Sequence, residues 1–474
     1  MREFDYTFSD GLRTGIRPYK TPRNIEAFTV LKNAKVGKFG LVPMEDLTDI
    51  FVQPRPESYP DVTQDWPFPQ YFRGQQVDLL GLRKTFYEIN SDGTLTPVVI
   101  DVDNVQSNDL WEVGDFGRYQ LVAKDRDFLL EKAGDTGLWN KTDTSHPTIP
   151  MAKSVENFKG QALVGNISFD AWSEADENYI AWGNIGSASF VNDRMNVAGY
   201  RPMDYRGPIY KIKRLGEFII AYGLNGIGIL YPTTTPAPTY GYEKLTEFGI
   251  TSKGAVGGDD KVHCFIGKDG HVYKIALSGP TAFRQVPVLK QLGYKEKVSL
   301  LATTAVVSFI PGGENNDEGD FYIGDEDICY FLSSYGLSTT HQKVTSAHRV
   351  NGVPKGLYES DGDTDFLGVT DIVDFGFRGQ KTIYTFEIGC SGSGTYSIAL
   401  DWRMDTTAAF QTTQFVPLNN QGIASLICAG VEFRIRLKYT NPADIDVSYI
   451  KVRYKSNDKR AMRGYYRSPN NEGR

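Results

Sequence analysis

Phe265-Ile-Gly-Lys-Asp-Gly-His-Val-Tyr-Lys-Ile275 and Tyr322-Ile-Gly-Asp-Glu-Asp-Ile-Cys-Tyr-Phe-Leu332 follow one plan: aromatic, Ile, Gly, a polar turn, then a second apolar stretch carrying Tyr. Upstream, Tyr222-Gly-Leu-Asn-Gly-Ile-Gly-Ile-Leu-Tyr231 puts Gly223 in register with Gly267 and Gly324. Ile89-Asn-Ser-Asp-Gly-Thr-Leu-Thr-Pro-Val98 puts Asp92-Gly93 where Asp269-Gly270 stands. Asp-Gly and Asn-Gly pairs tolerate positive φ, so between alternating apolar runs they are a strong hairpin signal. Candidate turns near Asp92, Asp135, Glu177, Asn225, Asp269 and Glu326 lie 43, 42, 48, 44 and 57 residues apart, and Asp361-Gly362 offers a weaker seventh.

Short strands repeating at this pitch point to an all-β chain built as a β-propeller of six or seven blades, each a four-stranded sheet. Gly312-Gly-Glu-Asn-Asn-Asp-Glu-Gly319 reads as a loop inserted into the longest interval. The division expected is an extended arm or ring-closing strands over 1–60, the propeller over 61–378, a small antiparallel β-sandwich over 379–455 and a basic tail over 456–474. Within the arm, Phe28-Thr-Val-Leu and Lys38-Phe-Gly-Leu-Val flank a turn at Asn33, and five prolines between Pro54 and Pro69 exclude a central strand. Two loops stand out among the blades: the Pro/Thr-rich Tyr231–Tyr240, and Pro311–Ile328 with seven acidic residues and no basic one.

After Gly379 the repeat stops. Phe433-Arg-Ile-Arg-Leu-Lys-Tyr439 and Ile450-Lys-Val-Arg-Tyr-Lys455 alternate apolar with cationic residues, the pattern of strands with one buried face. Thr382–Ile388, Tyr396–Trp402, Phe410–Pro417 and Ala424–Cys428 complete about six strands, enough for a sandwich.

Of 474 residues, 13% are aromatic, 48 are Gly and 23 Pro, which suits short strands and tight turns. No helical apolar period is sustained, and no run nears the roughly 20 apolar residues of a membrane span. The charged start, Met1-Arg-Glu-Phe-Asp-Tyr, lacks the apolar core of a secretion signal. The net charge of −7 is uneven: residues 451–474 hold eight basic and two acidic residues, leaving −13 on the remainder. That asymmetry fits contact with an acidic surface, a neighbouring subunit or nucleic acid, or a solvated tail.

Catalytic and metal signatures are sparse. His146, His263, His271, His341 and His348 form no tight metal pair, although His263 and His271 flank one hairpin. Cys264, Cys329, Cys390 and Cys428 lack metal spacing; a Cys390–Cys428 bridge and free thiols are both open. There is no P-loop, G-x-S-x-G elbow or dinucleotide fingerprint, and no kelch, WD40 or repeated sialidase turn. Asp361, Asp363 and Asp365 alternate as at the start of a calcium loop, but the Gly and Glu that complete such a loop are missing, so a solvated turn competes with a weak calcium site. No cofactor is expected, and no catalyst.

Ala399-Leu-Asp-Trp-Arg403, Phe415-Val-Pro-Leu-Asn419, Gly422-Ile-Ala, Gly430-Val-Glu-Phe-Arg-Ile-Arg436, Asp446-Val-Ser-Tyr-Ile-Lys-Val-Arg453 and Asp458-Lys-Arg-Ala-Met-Arg-Gly-Tyr465 resemble tail structural proteins of double-stranded DNA bacteriophages. Ile212-Lys-Arg-Leu-Gly-Glu-Phe-Ile-Ile220 and Gly270-His-Val-Tyr are similar to the propeller part of short-tailed phage nozzle and tail accessory proteins. The resemblance covers residues 200–467 and implies a non-enzymatic virion protein, made in the host cytoplasm. It further implies a homo-hexameric ring below portal and adaptor that extends the DNA channel, helps retain the genome and docks fibres or spikes. DNA would pass through the lumen without sequence-specific binding. Lys455, Lys459, Arg460, Arg463 and Arg467, with Tyr465 and Tyr466 as apolar anchors, are the expected contact with a neighbouring subunit or adaptor. The alternatives are a glycan-binding or glycan-cleaving propeller of the phage adsorption apparatus, with an axial pocket of Trp/Tyr and convergent Arg or carboxylates, and a monomeric host-type interaction propeller.

Overall fold

Antiparallel meanders account for the repeat. In the computed structural model, residues 3–457 are described apart from 17–25, 52–65, 76, 99–108, 127–128, 134–137, 144, 174–175, 194–195, 234–238, 278–286, 293–303, 313–318, 326 and 376–378. The chain divides into two units, one of residues 47–327 and 343–359, the other of 1–46, 328–342 and 360–474.

The first of these units holds five four-stranded sheets in chain order. Sheet one is Gln70–Phe72, Asp78–Gly81, Phe86–Ile89 and Leu95–Pro97; sheet two is Glu112–Asp115, Tyr119–Ala123, Leu129–Ala133 and Trp139–Lys141. Sheet three is Met151–Phe158, Gln161–Ser168, Tyr179–Trp182 and Gly199–Pro202; sheet four is Ile209–Leu215, Phe218–Gly223, Ile227–Thr233 and Thr239–Thr246. Sheet five is Val256–Gly258, Val262–Ile266, Val272–Leu277 and Pro287–Gln291. A hairpin of Val306–Ile310 and Asp320–Gly324 follows, so part of the expected acidic loop 311–328 is strand. A last pair, Gln342–Val350 and Val353–Ser360, is extended in parallel by Thr48–Asp49, which pairs with Lys355 and Gly356.

The Asp92 turn separates strands three and four of its sheet, whereas Asn225 and Asp269 separate strands two and three of theirs. The pitch of the repeat is as read, but its phase slips by one strand, because every tight reversal of a meander asks for the same turn chemistry. Gly93 and Gly270 do take positive φ, 83° and 80°. The Asp135 and Glu326 turns lie outside the described residues.

The pitch has a physical counterpart in hydrogen bonds between neighbouring sheets. Asn157 Nδ2 donates to Asp115 O, 42 residues away; Asn166 Nδ2 to Ile209 O, 43 away; Lys211 Nζ to Val256 O, 45 away; and Ser308 Oγ to Thr345 O, 37 away. Gly257 brings sheet five against the hairpin so closely that a Cβ there would meet Val307 O at 2.2 Å. Ser346 Oγ and His348 Nε2 then donate to Tyr71 O of sheet one at 3.1 and 2.9 Å, across 275 and 277 residues. From sheet two onward the opening strands thus touch in order and return to sheet one, which meets sheet two through the bond from Gln75 N to Asp115 Oδ2 at 2.7 Å. Separate apolar clusters fill the gaps: Leu79, Phe86, Trp111 and Val122 between sheets one and two, Ile180, Trp182, Ile212 and Ile219 between three and four, and Phe51, Tyr71, Leu80 and Leu357 where last meets first.

The other unit has two sheets around one core. Asp446–Ser456 lies between Lys381–Ser391 on one side and Glu3–Phe8 and Leu41–Val42 on the other, with Ile423–Gly430 beyond Lys381–Ser391. Opposite run Cys329–Leu332, Leu337–Thr340, Phe28–Lys32, Phe366–Thr370, Glu432–Tyr439 and Tyr396–Arg403 in that order. Phe28, Leu31, Ile383, Phe386, Leu400, Ile435 and Val452 meet in the core. The alternation of 433–439 holds, with Phe433, Ile435, Leu437 and Tyr439 buried and the cations between them outward. By compactness, the described residues of 1–46, 328–342 and 360–457 group together in this unit. Strand partners hundreds of residues apart leave no local mark in the sequence.

Lys253 is one of the fully buried cations of the repeat unit. It is 2% exposed, and its ammonium donates to Leu110 O at 2.9 Å, Lys124 O at 2.8 Å and Lys153 O. Burial pulls its pKa down to about 8. Lys253→Met, which leaves three buried carbonyls unmet, is expected to lower stability by about 2–4 kcal/mol. Urea unfolding followed by tryptophan fluorescence checks this; an unchanged midpoint would show the bonds to be dispensable.

Candidate functional site

Strand Ile209–Leu215 sends Lys211 and Lys213, two residues apart, to one face of the sheet. That face borders a cavity of about 310 Å³ walled by the opening strands of sheets one, four and five, the Val306–Ile310 strand and the Gln342–Val350 strand. Lys211 is committed: its ammonium bonds Val256 O at 3.1 Å and lies 3.6 Å from the Glu112 carboxylate. Glu112 in turn accepts from Val155 N at 3.2 Å. The half-buried Lys213 makes no hydrogen bond or ion pair among the described residues. It also lines a second space beside Glu156 and Asp259.

The electrostatics follow from burial. Burial lowers the pKa of Lys211, against the pull of Glu112. Burial raises that of Glu156, with the Lys213 charge opposing. Burial likewise depresses His348, whose ring is held neutral with Nε2–H on Tyr71 O. Lys213 lines the cavity together with residues of the opening strands of sheets one and five, the Val306–Ile310 strand and the Gln342–Val350 strand. Tyr71, Phe72 and Phe309 supply the aromatic lining; neither Trp nor Arg lines this cavity. The sequence marked neither lysine, because strand-borne cations two apart are ordinary on a solvated face.

The acidic run 361–365 is neutralised from within its own unit. Lys32 Nζ bridges Asp361 and Asp363 at 2.9 and 3.0 Å, and Lys438 Nζ meets Asp365 at 2.7 Å. Asn33, at φ 60°, donates to Asp363 O and Asp365 O. Burial pushes the Asp361 carboxyl up, but the Lys32 ammonium leaves it below its ordinary value. An ammonium thus stands where a calcium loop would converge its oxygens. Among the described residues no group of three or more His, Cys, Asp or Glu is set to hold a metal.

Lys455, expected at a partner interface, is engaged internally. Glu3–Phe8 pairs with Asp446–Ser456 so that Glu3 faces Lys455, Asp5 faces Arg453 and Thr7 faces Lys451. The ion pairs are Lys455–Glu3 at 3.1 Å, Lys451–Asp5 at 3.2 Å and Arg453–Glu387 at 3.3 Å. Lys459, Arg460, Arg463, Tyr465, Tyr466 and Arg467 lie outside the described residues. His263 and His271 do not converge: the first bonds Tyr222 OH and Arg214 O, and burial takes its pKa down to about 3, while the second pairs with Asp269 at 2.8 Å. All four cysteines are free; burial pushes Cys264 up to about 12 and Cys428 to about 11.

No protein-family model and no curated protein matches this sequence. Among solved structures, the chain is similar to the β-propeller domain of Cps50 (Swd1) from Myceliophteria thermophila, at 10% identity and TM-score 0.35, over 64% of this chain and 93% of that one. It is also similar to Kluyveromyces lactis Hsv2, at 11% identity and TM-score 0.31, over 57% of this chain and 97% of that one. A computationally designed protein, Ika8, aligns at 11% identity and TM-score 0.32, over 62% of this chain and 100% of its own.

Two measurements bear on these sites. Calcium at millimolar concentration is expected to leave the melting temperature within about 1 °C of that in chelator, since a ligand that does not bind adds no stability; a saturable rise would restore a calcium site. The Lys455 ammonium, 3.1 Å away, holds the Glu3 carboxyl below its ordinary 4.5. The contribution is therefore full above that value and lost as pH falls through the lower folded one. Hydrogen exchange over residues 3–8, corrected for intrinsic rates, should show protection dropping in that acid range and reduced at neutral pH in Glu3→Gln. Flat protection in both would mean the pair does not hold the strand.

Proposed function

We propose that this chain is a structural subunit of a bacteriophage tail: a ring component below the portal and adaptor that extends the DNA channel, helps retain the genome and docks fibres or spikes. In this reading the cyclic set of opening strands belongs to a seven-bladed β-propeller and the two-sheet unit is a β-sandwich. The observation that carries it is how the buried polar side chains are used. Lys253, Lys211, Asn157, Asn166 and Ser308 spend their hydrogen bonds on backbone carbonyls of neighbouring sheets, as suits a stiff scaffold.

Two further points support the reading. The motifs that resemble phage tail proteins, from Ala399–Arg403 to Asp446–Arg453, all fall in the two-sheet unit. Near the axis of the ring of strands, Lys253 and Leu110 are buried beside Gly254, so DNA would run through a lumen enclosed by several copies rather than through one propeller. Cyclic repetition of one heterologous interface generates such a lumen. The basic residues from Lys459 to Arg467 remain the proposed contact with a neighbour or adaptor.

Mass photometry of the purified chain should give a species of about six times the 52.9 kDa subunit, alone or on a portal–adaptor complex. Electron microscopy of virions should place it as a collar on the tail axis. A chain that stays monomeric with that complex and is absent from particles would overturn the assignment.

A further inference from the structure

We propose that the axial cavity of the repeat unit binds a small hydroxylated oxyanion of the sugar-acid or sugar-phosphate class. Three kinds of group converge there. The first is the Lys213 ammonium, half-buried between two spaces and without a hydrogen bond or ion pair among the described residues. Its neighbour Lys211 is tied to Val256 O and Glu112, and so fixes the strand that presents Lys213. A cation without a bonded counterion in a concave site attracts an anion more strongly than one on a flat surface. Of the carboxylates beside Lys213, Glu156 and Asp260 among them, Asp259 is occupied at its own turn, where Oδ1 accepts from Lys261 N and Val262 N at 2.9 and 3.0 Å.

The second is an unmet acceptor. Gln70 lines the same cavity, and its Oε1 is buried without a hydrogen-bond partner. Buried acceptors are nearly always satisfied, and an exception calls for a missing donor. A hydroxyl group supplies one once the amide turns toward it. The third is apolar: Phe72 and Phe309, both half-buried, line the cavity from two different strands. Aromatic faces suit the C–H face of a sugar ring and contribute nothing to inorganic phosphate. At about 310 Å³ the space lies at the small end of ligand pockets and matches a monosaccharide. This inference stands whether or not the chain is a tail subunit.

Isothermal titration of the full chain with D-glucuronate, glucose 6-phosphate, D-glucose and inorganic phosphate tests it. The two sugar anions should bind saturably, with glucose and phosphate each roughly tenfold weaker or undetectable. Lys213→Gln should weaken the anions at least about tenfold, and Lys213→Arg should retain most of the affinity. Because a variant can fail to fold, amine-reactive labelling of the wild-type protein read by mass spectrometry provides the second measurement: the bound sugar anion should shield Lys213. No saturable binding of either sugar anion, binding unchanged in Lys213→Gln, or unshielded Lys213 would each overturn the site. Phosphate binding as tightly as glucose 6-phosphate would overturn the sugar assignment.

Discussion

Closing a ring of sheets forces backbone carbonyls and amides of the innermost strands out of water, and each must find a partner there. Strand-to-strand ladders cannot meet that demand between sheets, because neighbouring sheets face each other with side chains. Asn157, Asn166, Ser308 and Ser346 meet it with short polar side chains that reach a carbonyl one sheet away. Ser154 does the same in the other sense, its hydroxyl accepting from Ile212 N at 2.8 Å. Lys211 and Lys253 do the same with longer side chains, and their burial is tolerated because each ammonium is bonded. Apolar wedges such as Trp111, Ile212 and Leu357 supply most of the favourable burial. The polar ties meet the backbone groups that this burial takes out of water.

The same logic explains why so few of the titratable groups are available for chemistry. Burial holds His263 and His348 neutral, against the opposing pull of their bonds to Arg214 O and Tyr71 O. Arg403 and Glu432 pair across adjacent strands, while Arg403 and Arg434 stack on Phe410 at 4.5 and 4.4 Å. Against that background Lys213 is conspicuous as a cation whose side chain has no bonded counterpart among the described residues, on a face where several sheets converge.

What was legible in the sequence was what local chemistry dictates. Period-two alternation marked the strands at 396–402, 433–439 and 450–455, and Asp-Gly pairs marked hairpins at 92 and 269. Phe28-Thr-Val-Leu and the turn at Asn33 were read correctly for the same reason. Partners were not legible. Nothing near Asp361 announces Lys32, 329 residues earlier in the chain, and nothing near Lys455 announces Glu3. An acidic run therefore looked solvated or metal-binding and a basic strand looked like an interface, until pairing placed each against its opposite charge.

The pairing of the first strand with the last also answers a problem of order. During synthesis Glu3–Phe8 exists long before Asp446–Ser456, so its backbone edge waits unpaired while the rest is made. An unpaired edge invites pairing with another copy of itself. Glu3 and Asp5 oppose that, because antiparallel self-pairing would bring acidic residues into proximity across the ladder, whereas Lys451, Arg453 and Lys455 offer the complementary set. Exposed ion pairs of this kind add little stability. Their value lies in partner choice: they make the intended strand the best available match, and the buried Phe8 then locks the register by packing edge-on against Phe28 at 5.5 Å.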